Sequence, residues 1–182
     1  MVLPLEKTFL PDKYLGLSVE KPAIPDFVRK TATENGLNEK PEFHISVLVA
    51  KNVQTAWRTI AARTDANLAY SLESVFKNYE WEYEPTDEYF LHEHTFTSDE
   101  LIENGEDAPP HTRRSIVQRV FLPDLPAFYA KVSELLGISL PIPVPHITLF
   151  AWSDYEPFKT RGIGINSADE FRQFTVHTLV AD

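Results

Sequence analysis

The sequence predicts an α+β fold, and three of its features indicate this. Segments with the two-residue periodicity of strands alternate along the chain with segments of helical periodicity. The 14 prolines divide the 182 residues into short elements, and the chain has no repeat of solenoid length. Hydrophobic residues make up 43% of the chain, which is enough for a proper core. We therefore expect residues 1–182 to form a single domain that mixes helices and strands.

The strand predictions rest on short runs of β-branched and aromatic residues that are bounded by polar or proline-containing segments. We expect strands at residues 14–19, 43–49, 80–84, 89–96, 114–121, 146–152 and 174–180, and helices at about 53–63 and 68–79. The prolines of the Leu140–Pro145 stretch exclude a helix there. They deliver the chain in extended form into the strand that begins at His146.

Local signals predict two further helices. The clearest one follows Asp124, a candidate N-cap, and its apolar stripe ends at Gly137, the expected C′ residue. Ser167 and Glu170 have the spacing of a capping box and predict a short helix near the C-terminus. The polar segment that follows Pro25 is expected to lie at the surface.

The composition excludes several classes of protein. No apolar run approaches the roughly 18 to 20 residues that a membrane-spanning helix needs. Pro4, Glu6 and Lys7 interrupt the stretch where a signal peptide would need to be apolar, so we expect neither secretion nor membrane association. The chain has no cysteine, which excludes disulfides, thiolate nucleophiles and zinc sites of the cysteine type. A reducing, cytoplasmic setting is the natural expectation.

The formal charge of −10 is concentrated in one segment. Residues 80–107 carry 11 carboxylates and no Lys or Arg, and the rest of the chain is close to neutral. Two interpretations are open: a solvated hairpin or insertion at about residues 80–112, or a flap that keeps long polyanions away from a nearby site. The charge argues against a long nucleic-acid duplex as partner, but it permits a small phosphorylated ligand.

Two short segments carry the most specific pattern in the chain. They are FHISV, which contains His44 and Ser46, and PHITL, which contains His146 and Thr148. In a strand, residues i and i+2 share a face, so each histidine projects beside its hydroxyl partner while the intervening Ile points the other way. A single His-x-Ser/Thr match is expected by chance, but two matches on similar strands, one in each half, indicate a shared site.

With these two motifs the chain resembles the 2H phosphoesterase superfamily, the relatives of bacterial 2′-5′ RNA ligases and cyclic phosphodiesterases. That superfamily is defined by two His-x-Thr/Ser motifs with apolar flanks, and PHITLF is close to its usual second motif. The separation between the motifs is somewhat long for the family, and the acidic segment would account for the excess. The resemblance implies a bilobal fold of two antiparallel sheets with outer helices, related by a pseudo-twofold, with the paired motif strands facing a central cleft.

The chemistry of that family fits the four motif residues. Opening a cyclic phosphodiester requires a base for the attacking water and an acid for the leaving ribose oxygen, and His44 and His146 can fill both roles without a metal or other cofactor. Either histidine can be the base. Ser46 and Thr148 would donate hydrogen bonds to the non-bridging phosphate oxygens. The expected substrate is a 2′,3′-cyclic phosphate, or a related ribose cyclic phosphate, on a nucleotide or short RNA end, and we expect a monomer.

Two alternative functions remain open from the sequence. The same cleft could bind a nucleotide or phosphate without catalysis, as a sensor does. His92, His94 and His111 could instead hold a metal ion, because the first two alternate on a strand pattern and the third follows after a loop. His177 lacks a hydroxyl residue at i+2 and is expected to be structural.

Cations and aromatic side chains near the second motif are candidates for substrate binding. Arg161 is the strongest cation, because it precedes a Gly-Ile-Gly loop shortly after the second motif strand. Phe150, Trp152 and Tyr155 could stack on a base, and by alternation Phe150 and Trp152 should share the face of the motif residues. The other candidate phosphate-binding cations are Arg113, Arg114, Arg119 and Lys159.

Overall fold

A computed structural model of the chain describes residues 6–10, 14–63 and 66–181. Its strands are β1 (Glu6–Leu10), β2 (Tyr14–Val19), β3 (Asn38–Glu39), β4 (Phe43–Leu48), β5 (Glu84–Phe96), β6 (His111–Phe121), β7 (His146–Ser153) and β8 (Thr175–Leu179). Its helices are α1 (Asp26–Glu34), α2 (Ala50–Arg63), α3 (Ala66–Asn78), α4 (Ser98–Glu103), α5 (Leu125–Leu136) and α6 (Ala168–Phe174), with one 3₁₀ turn (Glu156–Phe158). Within the described ranges, no helix combines the length and the apolar character that crossing a bilayer requires.

All of the described strands belong to one antiparallel sheet, and the expectation of two sheets is wrong, because the pairing of β4 with β7 joins the two halves. Seven of them follow the order β1-β2-β4-β7-β6-β5-β8, and β3 pairs with β7 beside this path. The two motif strands β4 and β7 are neighbours at the centre and meet through one bridging pair, Ile45 with Ile147. Further along β7, its neighbour is β3 instead of β4: Asn38 pairs with Ala151 and Glu39 with Phe150. The sheet therefore joins its two halves through a short contact between the motif strands.

The main hydrophobic core lies on one face of this sheet. Four helices, α1, α2, α3 and α5, bury apolar side chains there, among them Val28, Ala56, Phe76 and Phe128, each at 0% exposure. Burying each large apolar side chain contributes about 1.5–3 kcal/mol, so this face supplies most of the favourable energy of folding. The result is a rigid support behind the motif strands.

A smaller core lies on the opposite face, at the β5–β6 end of the sheet. Phe171 and Phe174 from α6 and Leu101 from α4 pack there against Phe96 of β5 and Val117 of β6. Helix α4 begins at a complete capping box, in which Thr97 accepts from the backbone of Glu100 and the Glu100 side chain accepts from the backbone of Thr97. The two short helices thus cover one end of the face that carries the motif residues.

Most of the predicted elements are confirmed. The structure has strands at the expected places for β2, β4, β6, β7 and β8, and helices at those for α2, α3, α5 and α6. Helix α5 ends at Gly137, whose φ of 62° is the left-handed conformation that favours glycine. Ser167 caps α6 by accepting from the backbone of Glu170 at 3.1 Å. Asp124 occupies the N-cap position of α5, but its side chain makes no capping hydrogen bond.

The segment after Pro25, which was expected at the surface, forms helix α1 with most of its residues partly or fully exposed. Only Val28 and Ala32 are fully buried in it, four residues apart on one face. A stripe of two apolar residues is too narrow to distinguish a short amphipathic helix from a surface segment. The sequence did not predict the helix, because packing against the sheet, and not local propensity, stabilises it.

The acidic segment differs from the prediction of two separate strands at residues 80–84 and 89–96. Residues 84–96 form one continuous strand, β5, which lies inside the sheet between β6 and β8. The polar residues that suggested a break between two strands coincide with an irregularity in register between Pro85 and Tyr89. Residues 80–83 are not a strand, and Trp81 packs with its ring 5.3 Å from that of Phe128.

Candidate functional site

The four motif residues lie on one face of the two central strands. On β4, Ile45 and Val47 are fully buried in the main core, while His44 and Ser46 are partly exposed on the other side. The same alternation on β7 buries Ile147 and leaves His146 and Thr148 partly exposed. The predicted alternation, with the Ile residues in the core and the motif residues on the opposite face, is therefore confirmed up to Thr148.

The register of the sheet brings the two motifs together. Because Ile45 pairs with Ile147, an antiparallel register places His44 across from Thr148 and Ser46 across from His146. Cross-strand neighbours on one face have Cβ atoms about 4.5–5.5 Å apart. Two imidazoles and two hydroxyls thus converge on one patch of the sheet.

A main-chain carbonyl orients the second imidazole. Nδ1 of His146 lies 2.8 Å from the carbonyl oxygen of Val144. Since a carbonyl oxygen can only accept, Nδ1 of the neutral ring carries the proton and Nε2 has its lone pair available. This is the tautomer in which Nε2 can act as a base.

The environment favours the neutral form of both imidazoles. Burial lowers the pKa of His44 to about 4, and the nearby charges of Lys40 and then His146 act in the same direction. Burial also lowers the pKa of His146, against the opposing effect of the Val144 carbonyl. Both rings are therefore neutral at pH 7, and a bound anion would favour protonation of one of them.

A glycine loop lies against the second motif. A Cβ added at Gly162 would sit 3.2 Å from Oγ1 of Thr148 and 3.6 Å from Oγ of Ser115. The backbone N–H of Ile163 donates to that Ser115 hydroxyl at 3.1 Å, which holds the loop in place. Glycine allows the backbone to approach the Thr148 hydroxyl closely, so the loop forms one wall of the site.

Lys40 is a cation of the site that the sequence analysis missed. Its backbone N–H donates to the carbonyl of Leu149 at 2.9 Å, and its Nζ donates to the carbonyl of Thr160 at 2.7 Å. The ammonium is close enough to His44 to lower the pKa of that ring. Lys40 precedes His44 by four positions across a turn, so neither strand alternation nor a motif could have placed it beside the imidazole.

Of the predicted cations, Arg161 lies next to the loop that contacts Thr148. Its guanidinium is 47% exposed, sits 4.8 Å over the ring of Phe158 and forms an ion pair with Glu106 at 2.8 Å. Tyr155 is in the same neighbourhood, with its ring 5.3 Å from that of Phe158 and 5.4 Å from that of His111. Arg161 therefore borders the site through the adjacent Gly162, whereas the ring contacts of Tyr155 lie with Phe158 and with His111, at the end of β6 that is remote from the motif residues.

Phe150 and Trp152 were wrongly expected to share the face of the motif residues. Thr148 pairs with Val117 but Phe150 pairs with Ile116, so β7 has one extra residue between them. This bulge turns Phe150 into the main core, where it is 5% exposed. Trp152 packs against the same core, beneath the guanidinium of Arg114 at 5.1 Å. Neither ring can stack on a ligand at the site face.

The three arginines of β6 serve as counter-charges for the acidic segment. Arg113 is 1% exposed and ion-paired with Glu106, and its guanidinium lies over the rings of Phe96 and Phe158. Arg114 pairs with Glu93 and Arg119 with Glu88, both across the β5–β6 ladder. Each exposed pair contributes at most about 1 kcal/mol. Lys159 pairs locally with Glu156 at 3.1 Å.

The three histidines considered for a metal each have another partner. Nε2 of His92 lies 3.0 Å from Oγ1 of Thr175, and that of His94 lies 2.9 Å from Glu100. His111 uses Nδ1 toward the carbonyl of Pro109 and accepts from Arg113 at Nε2. Among the residues that the structure describes, no group of three or more His, Cys, Asp or Glu side chains could hold a metal ion.

His92 and His177 lie on opposite sides of the sheet. His92 is fully buried, and burial lowers its pKa to about 3, with a smaller contribution from His146 in the same direction. His177 is exposed on β8, where it pairs with Leu91. His92 therefore belongs to the electrostatic surroundings of the site, and His177 does not.

Protein-family models, curated proteins and solved structures contain no match to this chain. The chemistry of the site follows from its own groups: two neutral imidazoles, two hydroxyls, a close backbone loop, and the cations of Lys40 and Arg161. Imidazoles exchange protons near neutral pH, and hydroxyls and cations hold anionic oxygens. The groups suit an anionic, phosphate-bearing ligand.

Proposed function

We propose that this protein is a metal-independent phosphodiesterase of the 2H phosphoesterase type. It opens a 2′,3′-cyclic phosphate, or a related ribose cyclic phosphate, on a nucleotide or short RNA end. The observation that carries the proposal is the central pairing of β4 with β7, which supports a site built from His44, Ser46, His146 and Thr148 on one face. The sheet order places β4 and β7 side by side with β2 and β6 as their outer neighbours, and this supports the pseudo-twofold relation between the two halves that the resemblance implies.

The proposed reaction is an in-line displacement at phosphorus. Water attacks on the side opposite the leaving ribose oxygen, and one imidazole takes the proton that the water loses. The bond between phosphorus and the ribose oxygen breaks, and the imidazolium of the other histidine donates its proton to that oxygen. Ser46 and Thr148 donate hydrogen bonds to the two non-bridging oxygens, where negative charge must be held in the transition state.

The lowered pKa of each imidazole makes the reaction depend on the bound anion. A histidine that is neutral in the empty site is a competent base, but the acid must be protonated first. The negative charge of the cyclic phosphate raises the pKa of a neighbouring imidazole, so that this imidazole becomes protonated and can act as the general acid. The substrate itself thus brings the second proton-transfer group into its active form.

The neutral state of both rings also favours a second candidate function. A site in which neither histidine is protonated can bind a nucleotide or phosphate without hydrolysing it. Ser46, Thr148 and the cations of Lys40 and Arg161 would hold the ligand. In that case the protein is a sensor, and its ligand affinity depends little on either histidine.

Hydrolysis of 2′,3′-cyclic nucleotides and of oligonucleotides that end in a cyclic phosphate, measured in EDTA, tests the proposal. We expect turnover by the wild type and a loss of about 10²- to 10⁴-fold in His44→Ala and in His146→Ala. His177→Ala is the matched control, since it removes an exposed histidine outside the site, and its activity should equal that of the wild type. If the wild type shows no turnover and both site variants still bind nucleotides, the phosphodiesterase proposal is wrong and the sensor function replaces it.

A further inference from the structure

Lys40 directly follows β3, a short strand that carries neither motif. Its backbone is tied to β7 at Leu149, one residue after Thr148. Asn38 pairs with Ala151 and Glu39 with Phe150, so Lys40 follows directly after the two residues by which β3 pairs with β7. Its hydrogen bond to the Thr160 carbonyl then fixes the ammonium beside the loop that follows.

Arg161 is the next residue of that loop. Lys40 therefore bonds to residue 160, Arg161 follows it, and Gly162 lies against the hydroxyl of Thr148. Stacking of the Arg161 guanidinium over Phe158 limits its freedom, although nearly half of its side chain remains exposed. Two cations with defined positions thus stand in sequence along one edge of the two-histidine site.

Positive charge exceeds negative charge at this edge. Arg113 and Arg161 share one carboxylate, that of Glu106, whose side chain is 6% exposed. The pKa of Lys40 is lowered by burial and also by the positive charge of Arg161, which places the two cations within electrostatic reach of each other. Only Glu42 acts on Lys40 in the opposite direction, as the smallest of the three influences. An anion placed between Lys40 and Arg161 would relieve this repulsion.

We propose that Lys40 and Arg161 form a second anion subsite, which takes a phosphate group attached one ribose away from the cyclic phosphate. This inference rests on the proposed function, and it narrows the substrate class to cyclic phosphates that carry another phosphate on the same nucleoside. The second phosphate can be the 5′-phosphate of a mononucleotide or the phosphodiester that links the terminal nucleoside to an RNA chain. The ammonium and the guanidinium bind non-bridging oxygens in either case.

Binding of non-hydrolysable ligands tests the subsite without requiring turnover. The probes are adenosine 3′-monophosphate, adenosine 3′,5′-bisphosphate and a dinucleotide with a 3′-phosphate, titrated by calorimetry. We expect the wild type to bind the bisphosphate at least about 10-fold more tightly than the monophosphate, because charged hydrogen bonds contribute that much each. The dinucleotide separates the two sources: affinity equal to that for the bisphosphate assigns the subsite to RNA ends as well as to mononucleotides.

Three variants connect the preference to the two cations. Lys40→Gln and Arg161→Gln should each reduce the ratio of bisphosphate to monophosphate affinity by about 10-fold, and Lys40→Arg should restore most of it. Lys131→Gln is the matched control, because it removes the same charge from a helix that packs on the opposite face of the sheet. The preference should also weaken as salt is raised from about 50 mM to 300 mM.

The two proposals fail in different ways. Equal wild-type affinity for the mono- and bisphosphate, or a preference that survives in both Gln variants, would overturn the subsite. A preference that depends on Lys40 and Arg161 in a protein that hydrolyses no cyclic phosphate would support the subsite and overturn the phosphodiesterase. Hydrolysis of cyclic phosphates by a protein that shows no preference for the bisphosphate would support the phosphodiesterase and overturn the subsite.

Discussion

The two faces of the central strands show how one pair of strands serves both stability and chemistry. On the core face, Ile45 and Ile147 are fully buried under the larger helices. On the site face, the residues that alternate with them are partly exposed histidines and hydroxyls next to a cation. The strands are held rigid by the first face, so the second face can carry groups that contribute little to folding. Substitutions one position apart should therefore have separable effects.

Ile147→Ala and Thr148→Val test this separation most strongly. Ile147→Ala removes a fully buried side chain and should lower the free energy of unfolding by about 2–5 kcal/mol. Thr148→Val keeps the shape but removes the hydroxyl, so it should leave stability nearly unchanged and reduce cyclic phosphodiesterase activity about 100-fold or more. Urea denaturation and steady-state kinetics measure the two effects. Equal loss of stability in both variants would contradict the division between the faces.

The histidines of the site face should make stability depend on pH in a defined window. The folded-state pKa of His44 is about 4 and that of His92 about 3, both below the ordinary value near 6.5. As the pH falls below 6.5 the unfolded chain binds these protons first, so stability declines until the folded-state pKa is reached and then levels off. For the buried His92 the decline over this window should be on the order of 5 kcal/mol, because each pKa unit corresponds to about 1.4 kcal/mol.

Denaturation of His92→Asn and of the wild type between pH 7 and pH 3 measures this effect. The variant should show a shallower decline below pH 6.5, whereas His177→Asn, at an exposed position, should follow the wild type. NMR titration of His44 should give a midpoint near 4 in the free protein and a higher one with a bound nucleotide phosphate. A midpoint near 6.5 without ligand would show that burial does not control this ring.

The loop that borders the site face offers the smallest and most local test. Gly162→Ala places a methyl group 3.2 Å from the Thr148 hydroxyl, which must shift by a few tenths of an ångström. We expect activity to fall up to about 10-fold with little change in stability, because catalysis is more sensitive to such shifts than folding is. Gly164→Ala is the matched control, since an added Cβ there meets nothing within 4 Å. Identical kinetics for the two variants would remove the loop from the site.

Charge partners explain why the predicted phosphate-binding cations divide as they do. Arg113, Arg114 and Arg119 all lie on β6, and the sequence does not show that each has a carboxylate of the acidic segment as its partner: Glu106 after α4, and Glu93 and Glu88 on β5. Arg161 also pairs with Glu106, but it remains half exposed beside the glycine loop. Pairing between strands distant in sequence decides whether a cation is structural or available to a ligand.

The sequence by itself determined the features that depend on local periodicity. These include the strands that carry His44 and His146, the shared face of each histidine with its hydroxyl partner, and helix α5 with its terminal Gly137. Each follows from side-chain alternation or from backbone preferences within a few residues. Residues close in sequence determine these features, and tertiary contacts did not alter them.

Only the tertiary structure decided which of these elements meet. The pairing of β4 with β7, the bulge that turns Phe150 into the core, and the position of Lys40 beside His44 all depend on contacts between distant segments. No sequence pattern in this stretch predicts a bulge. One extra residue moves each following side chain of the strand to the opposite face of the sheet, so alternation predicts the wrong face after that point. The interior position of β5 likewise depends on its pairing with β6 and β8. The packing and hydrogen bonding of a strand within a sheet stabilise it more than its acidic residues disfavour it.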